Sequence, residues 1–154
     1  MLLVMGLIAC NSEEDEGPMS NPNQDTSIED GTVSAMDSDQ FKALIDGGNE
    51  KVWSASAFTL AGQTTFTACR LDDIITFNAD STYVYDGGEQ LCGAEDDSFI
   101  KTGTWEADFE NERIVFDKGT ENEEVGEVIG LSEDEIRVKG SYMMMEVRGV
   151  YTSN

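Results

Sequence analysis

Three cysteines, 32 carboxylates and no histidine set what chemistry this chain can attempt. Without an imidazole there is no Ser-His-Asp or Cys-His arrangement, and the commonest ligand for zinc, copper or iron is missing. Hydrolysis by carboxylates alone would need two acids facing each other across a cleft, about 5–10 Å apart. The clustered acids are Asp72-Asp73 and Glu95-Asp96-Asp97. Neighbours on a strand point to opposite faces, so these clusters are expected to be solvated or to cap turns, and no catalytic residue is assigned. Asn78, Asp80, Thr82 and Glu89 fall at positions 1, 3, 5 and 12 of a calcium loop, but the sixth position, where the sharp turn needs glycine, is Tyr83. No cofactor or dedicated metal site is expected. The most that loop carboxylates would give is weak Ca2+ association.

The cysteines carry more information. Cys10 follows nine apolar residues, Met1 to Ala9, and the chain turns polar immediately after it. Nine residues are the length of a secretory hydrophobic segment and too few to span a bilayer. Leu7-Ile8-Ala9-Cys10 resembles the lipobox of bacterial lipoproteins, in which a small residue precedes a cysteine whose thiol takes a diacylglyceryl group. The resemblance implies a signal peptide over residues 1–9 and a membrane anchor of palmitate-like acyl chains on Cys10. The basic residues that usually precede such a segment are missing, and a start upstream of Met1 would supply them. Glu13-Glu14-Asp15-Glu16 resembles the acidic surface-export signal of some Gram-negative lipoproteins and implies the outer membrane and the cell surface. Residues 10–37 are rich in Ser, Asn, Asp, Glu and Gly, and are expected to form a disordered acidic tether.

Cys69 and Cys92 then remain as an even pair in an oxidising compartment. Ile74-Ile75-Thr76-Phe77 and Thr82-Tyr83-Val84-Tyr85 read as a hairpin around Asn78–Ser81. With Phe77 opposite Thr82, Cys69 and Cys92 come within one bulge of facing each other, and a disulfide is expected.

These residues need elements to hold them. Ser38 to Gly47 carries Phe41, Leu44 and Ile45 on one helical face and ends at Gly47-Gly48, predicting one short helix over 38–47 that plugs or lids a sheet. From Lys51 to Tyr151 the period is two. Trp105, Ala107 and Phe109 alternate with Thr104, Glu106 and Asp108, and Met143, Met145 and Val147 alternate with Met144, Glu146 and Arg148. Turn signals recur every 8–12 residues, Gly140 among them, and no second helix is available for a parallel crossover. The fold class is therefore all-β, an antiparallel up-and-down meander of about eight strands over residues 38–154, closed into a small barrel.

Trp53 near the first strand, Cys69-Arg70-Leu71-Asp72-Asp73, Asp80-Ser81-Thr82-Tyr83, Cys92, Gly103-Thr104-Trp105 and Ile129-Gly130-Leu131-Ser132 occur in an order and spacing similar to the lipocalin-like domains of bacterial outer-membrane lipoproteins. That family usually has glycine where this chain has Ser81. The resemblance implies a lipid-anchored barrel and brings no catalytic residues. Trp53, Phe77, Trp105, Phe109, Met143 and Met145 are the expected walls of an apolar pocket. The partners expected are a membrane through the anchor and a small apolar or amphipathic ligand. The alternative is a filled barrel that contacts another envelope protein. A net charge of −23 repels phosphate backbones, so nucleic acid is not expected as a partner.

Overall fold

The computed structural model describes residues 27–64, 68–90, 92 and 100–153. Helix α1, Ser38–Asp46, starts where the side chain of Asp37 accepts the backbone N–H of Gln40 (2.8 Å). It ends where Gly47 turns left-handed, φ 66°, and donates its N–H to Ala43. Phe41 and Ile45, one turn apart, are fully buried beneath it.

Eight strands follow: β1 Glu50–Leu60, β2 Ile74–Asn78, β3 Thr82–Asp86, β4 Ile100–Asp108, β5 Arg113–Phe116, β6 Glu124–Leu131, β7 Glu135–Tyr142 and β8 Met145–Ser153. Each pairs antiparallel with the next, and β8 returns to β1, so the barrel is closed as the alternation predicts. Closure leaves no unpaired edge. The strand directions give the barrel two ends. At the helix end lie α1 and the β2–β3, β4–β5 and β6–β7 turns. At the mouth end lie the β1–β2, β3–β4 and β5–β6 loops and the β7–β8 turn. The core is concentrated at the helix end, where Trp53, Phe77, Trp105, Ile114, Leu131 and Ile136 are each at most 3% exposed.

Three details differ from the sequence expectation. Phe77 pairs with Tyr83, not Thr82, because the turn is a three-residue one and Ser81 is its left-handed residue, φ 68°. Ser81 thus occupies a conformation that glycine adopts without penalty, at a cost of about 1 kcal/mol. Gly140 lies inside β7, and the chain reverses instead at Met143–Met144, both left-handed, φ 48° and 66°. This two-residue turn matches the right-handed twist of its strands but normally uses Asn-Gly, so the sequence gives no turn signal there.

The third difference is at the amino-terminal side, where the tether was read as reaching residue 37. Residues 28–35 are instead bound to the barrel as a strap. Gly31 and Ser34 donate N–H bonds to the carbonyls of Ile129 and Leu131, and Leu131 donates to Thr32. Arg148 binds the carbonyl of Ile28 (2.7 Å) and the carboxylate of Asp30 (2.6 Å), and Arg137 binds the carbonyl of Glu29 (2.9 Å). The strap crosses β6 where Gly31 meets Gly130. A Cβ on Gly130 would stand 3.2 Å from the Gly31 Cα, a tight fit that favours glycine at 130, whereas one on Gly31 would make ordinary contact at 3.4 Å.

Candidate binding site at the barrel mouth

The six residues expected to wall one pocket divide between the two ends. Trp53 is fully buried, donates its indole N–H to the Ile45 carbonyl (2.8 Å) and lies under the Lys51 ammonium, 4.2 Å from the ring centre. Trp105 is 3% exposed, donates to the Asn78 carbonyl (3.1 Å) and meets Phe77 edge-on at 4.9 Å. Phe109, just beyond β4, packs against Phe41 of α1 at 5.8 Å. Trp53, Phe77 and Trp105 are buried in the barrel, each indole N–H has the partner that burial demands, and Phe109, partly buried, packs beside them under α1 at the helix end. Met143 and Met145 do not join them. They sit at the tip of the β7–β8 hairpin at the other end, 74% and 38% exposed, because the strand read through them is a turn.

Cys69 and Cys92 are disulfide-bonded with Cα atoms 5.3 Å apart. The bond joins the short 3-10 turn before β2 to the β3–β4 loop, pinning two mouth loops together. Asp72 reinforces the link by accepting the N–H groups of Glu89 (2.8 Å) and Gln90 (3.0 Å), which hold its carboxyl below the ordinary carboxylate range. Cys10, the signal peptide expected over 1–9 and the expected tether as far as residue 26 lie outside the described residues.

Inside the mouth the packing changes character. By alternation from the buried core positions, Phe58, Tyr85, Phe116, Val138, Val147 and Tyr151 face inward toward the mouth, and all six are only partly buried. Gly126 and Gly140 share that face. A Cβ on Gly140 would meet nothing within 4 Å, and one on Gly126 would only touch the Phe116 ring at 4.0 Å. Neither glycine has the positive φ that would require it, so both positions are open by the absence of a side chain alone.

One polar cluster lies at this level. Asp73 is 1% exposed and accepts the Tyr85 hydroxyl (2.7 Å); Tyr85 in turn accepts Arg70 Nη1 (2.8 Å), which lies 3.6 Å from the Asp73 carboxylate. Burial, and then the hydrogen bond to Asp73, push the Tyr85 phenol well above its ordinary value, and burial does the same to Tyr151. Beside them the Tyr83 hydroxyl donates to Asp117 (3.0 Å), whose other oxygen accepts the Thr104 N–H (2.9 Å) and fills the space over Gly103. Burial raises the Tyr83 phenol as well.

Asp72 and Asp73, in the turn before β2, have different partners: Asp72 accepts the Glu89 and Gln90 N–H groups and Asp73 accepts the Tyr85 hydroxyl. Asn78, Asp80 and Thr82 hydrogen-bond one another across the β2–β3 turn. Among the described residues no group of three or more His, Cys, Asp or Glu side chains is placed to hold a metal ion.

Two cavities lie outside the barrel. One of about 140 Å³ separates the strap from β1 and β8, lined by Ser27, Ile28, Glu29, Thr59, Gly62, Glu146 and Arg148. The other is an open groove of about 460 Å³ along the start of α1 and the end of β4, from Met36 to Ser38 and Glu106 to Glu110. Residues 65–67 and 93–99, in the loops at the mouth end, lie outside the described residues.

A closed eight-stranded antiparallel barrel with a short helix at one end is a lipocalin-like architecture. The family model described as a lipocalin-like domain matches residues 24–138, and the chain belongs to that family. The match takes in the strap and α1 as well as β1 through the first half of β7. No curated protein sequence matches the chain. The strap gives little signal in the sequence because its apolar residues, Ile28, Val33 and Ala35, are scattered in an otherwise polar stretch. The signal that would have revealed them lies over a hundred residues away, in Arg137 and Arg148.

Proposed function

We propose that this protein is a non-catalytic lipoprotein of the outer membrane, anchored by lipid on Cys10 and displayed at the cell surface, whose barrel takes a small apolar or amphipathic ligand through its mouth. The observation that carries the binding reading is the contrast along the inner wall. Side chains are solidly packed at the helix end, whereas toward the mouth partly buried aromatic and aliphatic side chains share the inner face with Lys101, Glu124 and two glycines, and a Cβ on Gly140 would meet nothing within 4 Å. Eight-stranded barrels are just wide enough to hold one small ligand in such a space. The Arg70–Tyr85–Asp73 cluster would meet the polar end of an amphipathic molecule. The anchor is supported by the lipobox-like Leu7–Cys10, and surface display by the acidic run Glu13–Glu16.

Two measurements test this. The mass of the amino-terminal peptide from envelope-purified protein should show acyl chains on Cys10, and Cys10→Ser should move the protein to the soluble fraction; retention in the membrane would contradict the anchor. Native mass spectrometry of the same preparation should show a co-purifying small apolar molecule that denaturation releases. A bare barrel that also fails to take up neutral hydrophobic dyes would favour the filled-barrel interaction protein instead.

A further inference from the structure

The β7–β8 hairpin ends in Tyr142-Met143-Met144-Met145, which are 58%, 74%, 99% and 38% exposed. Four consecutive apolar side chains in water are unusual for any soluble domain. They stand out more in a chain of net charge −23, where Gly140 to Met145 is an uncharged run. The two apex methionines also occupy left-handed backbone that favours glycine and asparagine, so nothing in the turn itself calls for long apolar side chains there. The tip projects beyond the sheet. β1 ends at Leu60, paired with Val147, and Ala61 makes the last bond to this ladder at Glu146 (2.8 Å).

The described chain begins at Ser27, beside this tip. Ser27 lines the same small cavity as Glu146, the residue next to Met145. Arg148, Arg137 and the Gly31–Gly130 crossing fix the strap, so that point cannot migrate to the helix end. Sixteen residues separate Ser27 from Cys10. On the tether reading, a segment of that length has a root-mean-square reach of roughly 20–25 Å, short enough to hold the mouth end toward whatever surface carries the anchor.

We propose that the Tyr142–Met145 hairpin tip is a membrane-docking element, which enters the interfacial region of the same bilayer that holds Cys10 and turns the barrel mouth toward it. This rests on the anchor reading given above. The backbone of the tip suits the role, because a two-residue turn flanked by the paired Tyr142 and Met145 leaves few unpaired polar groups to carry into the interface. Tyr142 supplies a ring of the kind enriched at membrane–water boundaries, and methionine adapts to a disordered apolar surrounding. The surplus of acids elsewhere selects against anionic lipid, so the surface that fits is zwitterionic. A mouth turned toward the bilayer would exchange an apolar ligand with it without passage through water.

The test uses the full lipidated chain in phosphatidylcholine vesicles, with a neutral polarity-sensitive fluorophore on Met144→Cys, and separately on Met36→Cys, an exposed methionine at the helix end. The label at 144 should shift to the blue and be quenched at least fivefold more by nitroxide lipids than the label at 36. Adding Met143→Asp should abolish the difference, and vesicles rich in phosphatidylglycerol should reduce it. Equal, water-like emission from both positions overturns the proposal. So does a blue shift that appears without vesicles and grows with protein concentration, which would assign the tip to a second copy of the chain. The anchor is scored independently by the mass of the Cys10 peptide. Should Cys10 prove unmodified, the labelled Cys10→Ser chain at millimolar lipid decides the tip by the same shift, present or absent.

Discussion

The two ends of this barrel are built from the same strands and solve opposite problems. At the helix end, α1 lies across the opening and every large inward side chain is covered: Trp53, Phe77 and Trp105 are at most 3% exposed, and both indole N–H groups are bonded to carbonyls. At the mouth, the inward positions of the same strands hold glycine, partly buried phenylalanine, tyrosine and valine, and the charged Lys101 and Glu124, and a disulfide secures the loops. The difference teaches where each kind of stability is placed. Hydrophobic burial holds one end, and a covalent link with a few hydrogen bonds helps to hold the other, where Phe58 and Tyr151 fill the space over Gly149 but the space over Gly140 is left open.

Substitutions can break or sharpen that comparison. Trp105→Ala should destabilise the protein by about 3–5 kcal/mol in denaturant unfolding, the cost of emptying a fully packed site; a loss under about 1 kcal/mol would mean that the helix end is not the packed one. Replacing both Cys69 and Cys92 by serine should cost about 3 kcal/mol, as for a loop closed over a 23-residue separation. Amide hydrogen exchange should rise first in the loops at the mouth and last around Trp53 and Trp105; a uniform rise would make the two ends one cooperative unit.

The tyrosines sharpen the contrast by titration. Tyr83, Tyr85 and Tyr151 all have phenols raised above the ordinary value near 10, first by burial. A raised folded pKa contributes stability that is fully present below the unfolded value and is lost as pH rises through the folded one. Stability should therefore be unaffected by these groups below about pH 10 and fall above it, with phenolate absorbance from these three appearing together with unfolding. Tyr85→Phe should remove part of that alkaline loss. The smallest effect is at the helix end, where Ser81→Gly should stabilise by about 0.5 kcal/mol, since relief of a left-handed serine outweighs the added chain entropy of glycine.

Much of this was legible in the sequence. The alternation about Trp105 gave the barrel and the orientation of its core, because a half-buried strand has a period that nothing else imitates. Cys69 and Cys92 were found from their placement about the hairpin even with the register off by one, since the loop ends have slack to close the gap. The β7–β8 turn was invisible because Met143 and Met144 have the chemistry of strand or core and adopt the conformation of a turn. That one error moved Met143 and Met145 from an inner wall to an exposed tip. The strap could not be read because its partners are long-range: arginines on β7 and β8 binding backbone carbonyls, and a Gly31–Gly130 contact that no local pattern signals.

The open mouth is the central claim, and Gly140 tests it most directly. A phenylalanine there would project into the space that the glycine leaves, on a backbone that any residue can adopt. Titration of the protein and of Gly140→Phe with a neutral hydrophobic dye such as Nile red, with unfolding followed in parallel, separates the outcomes. The account predicts saturable binding by the parent chain, binding weakened at least tenfold in Gly140→Phe, and stability changed by less than about 1 kcal/mol, because the new ring enters open space rather than a packed core. Dye binding that is unchanged in Gly140→Phe, or a loss of stability of several kcal/mol on introducing the ring, would contradict it.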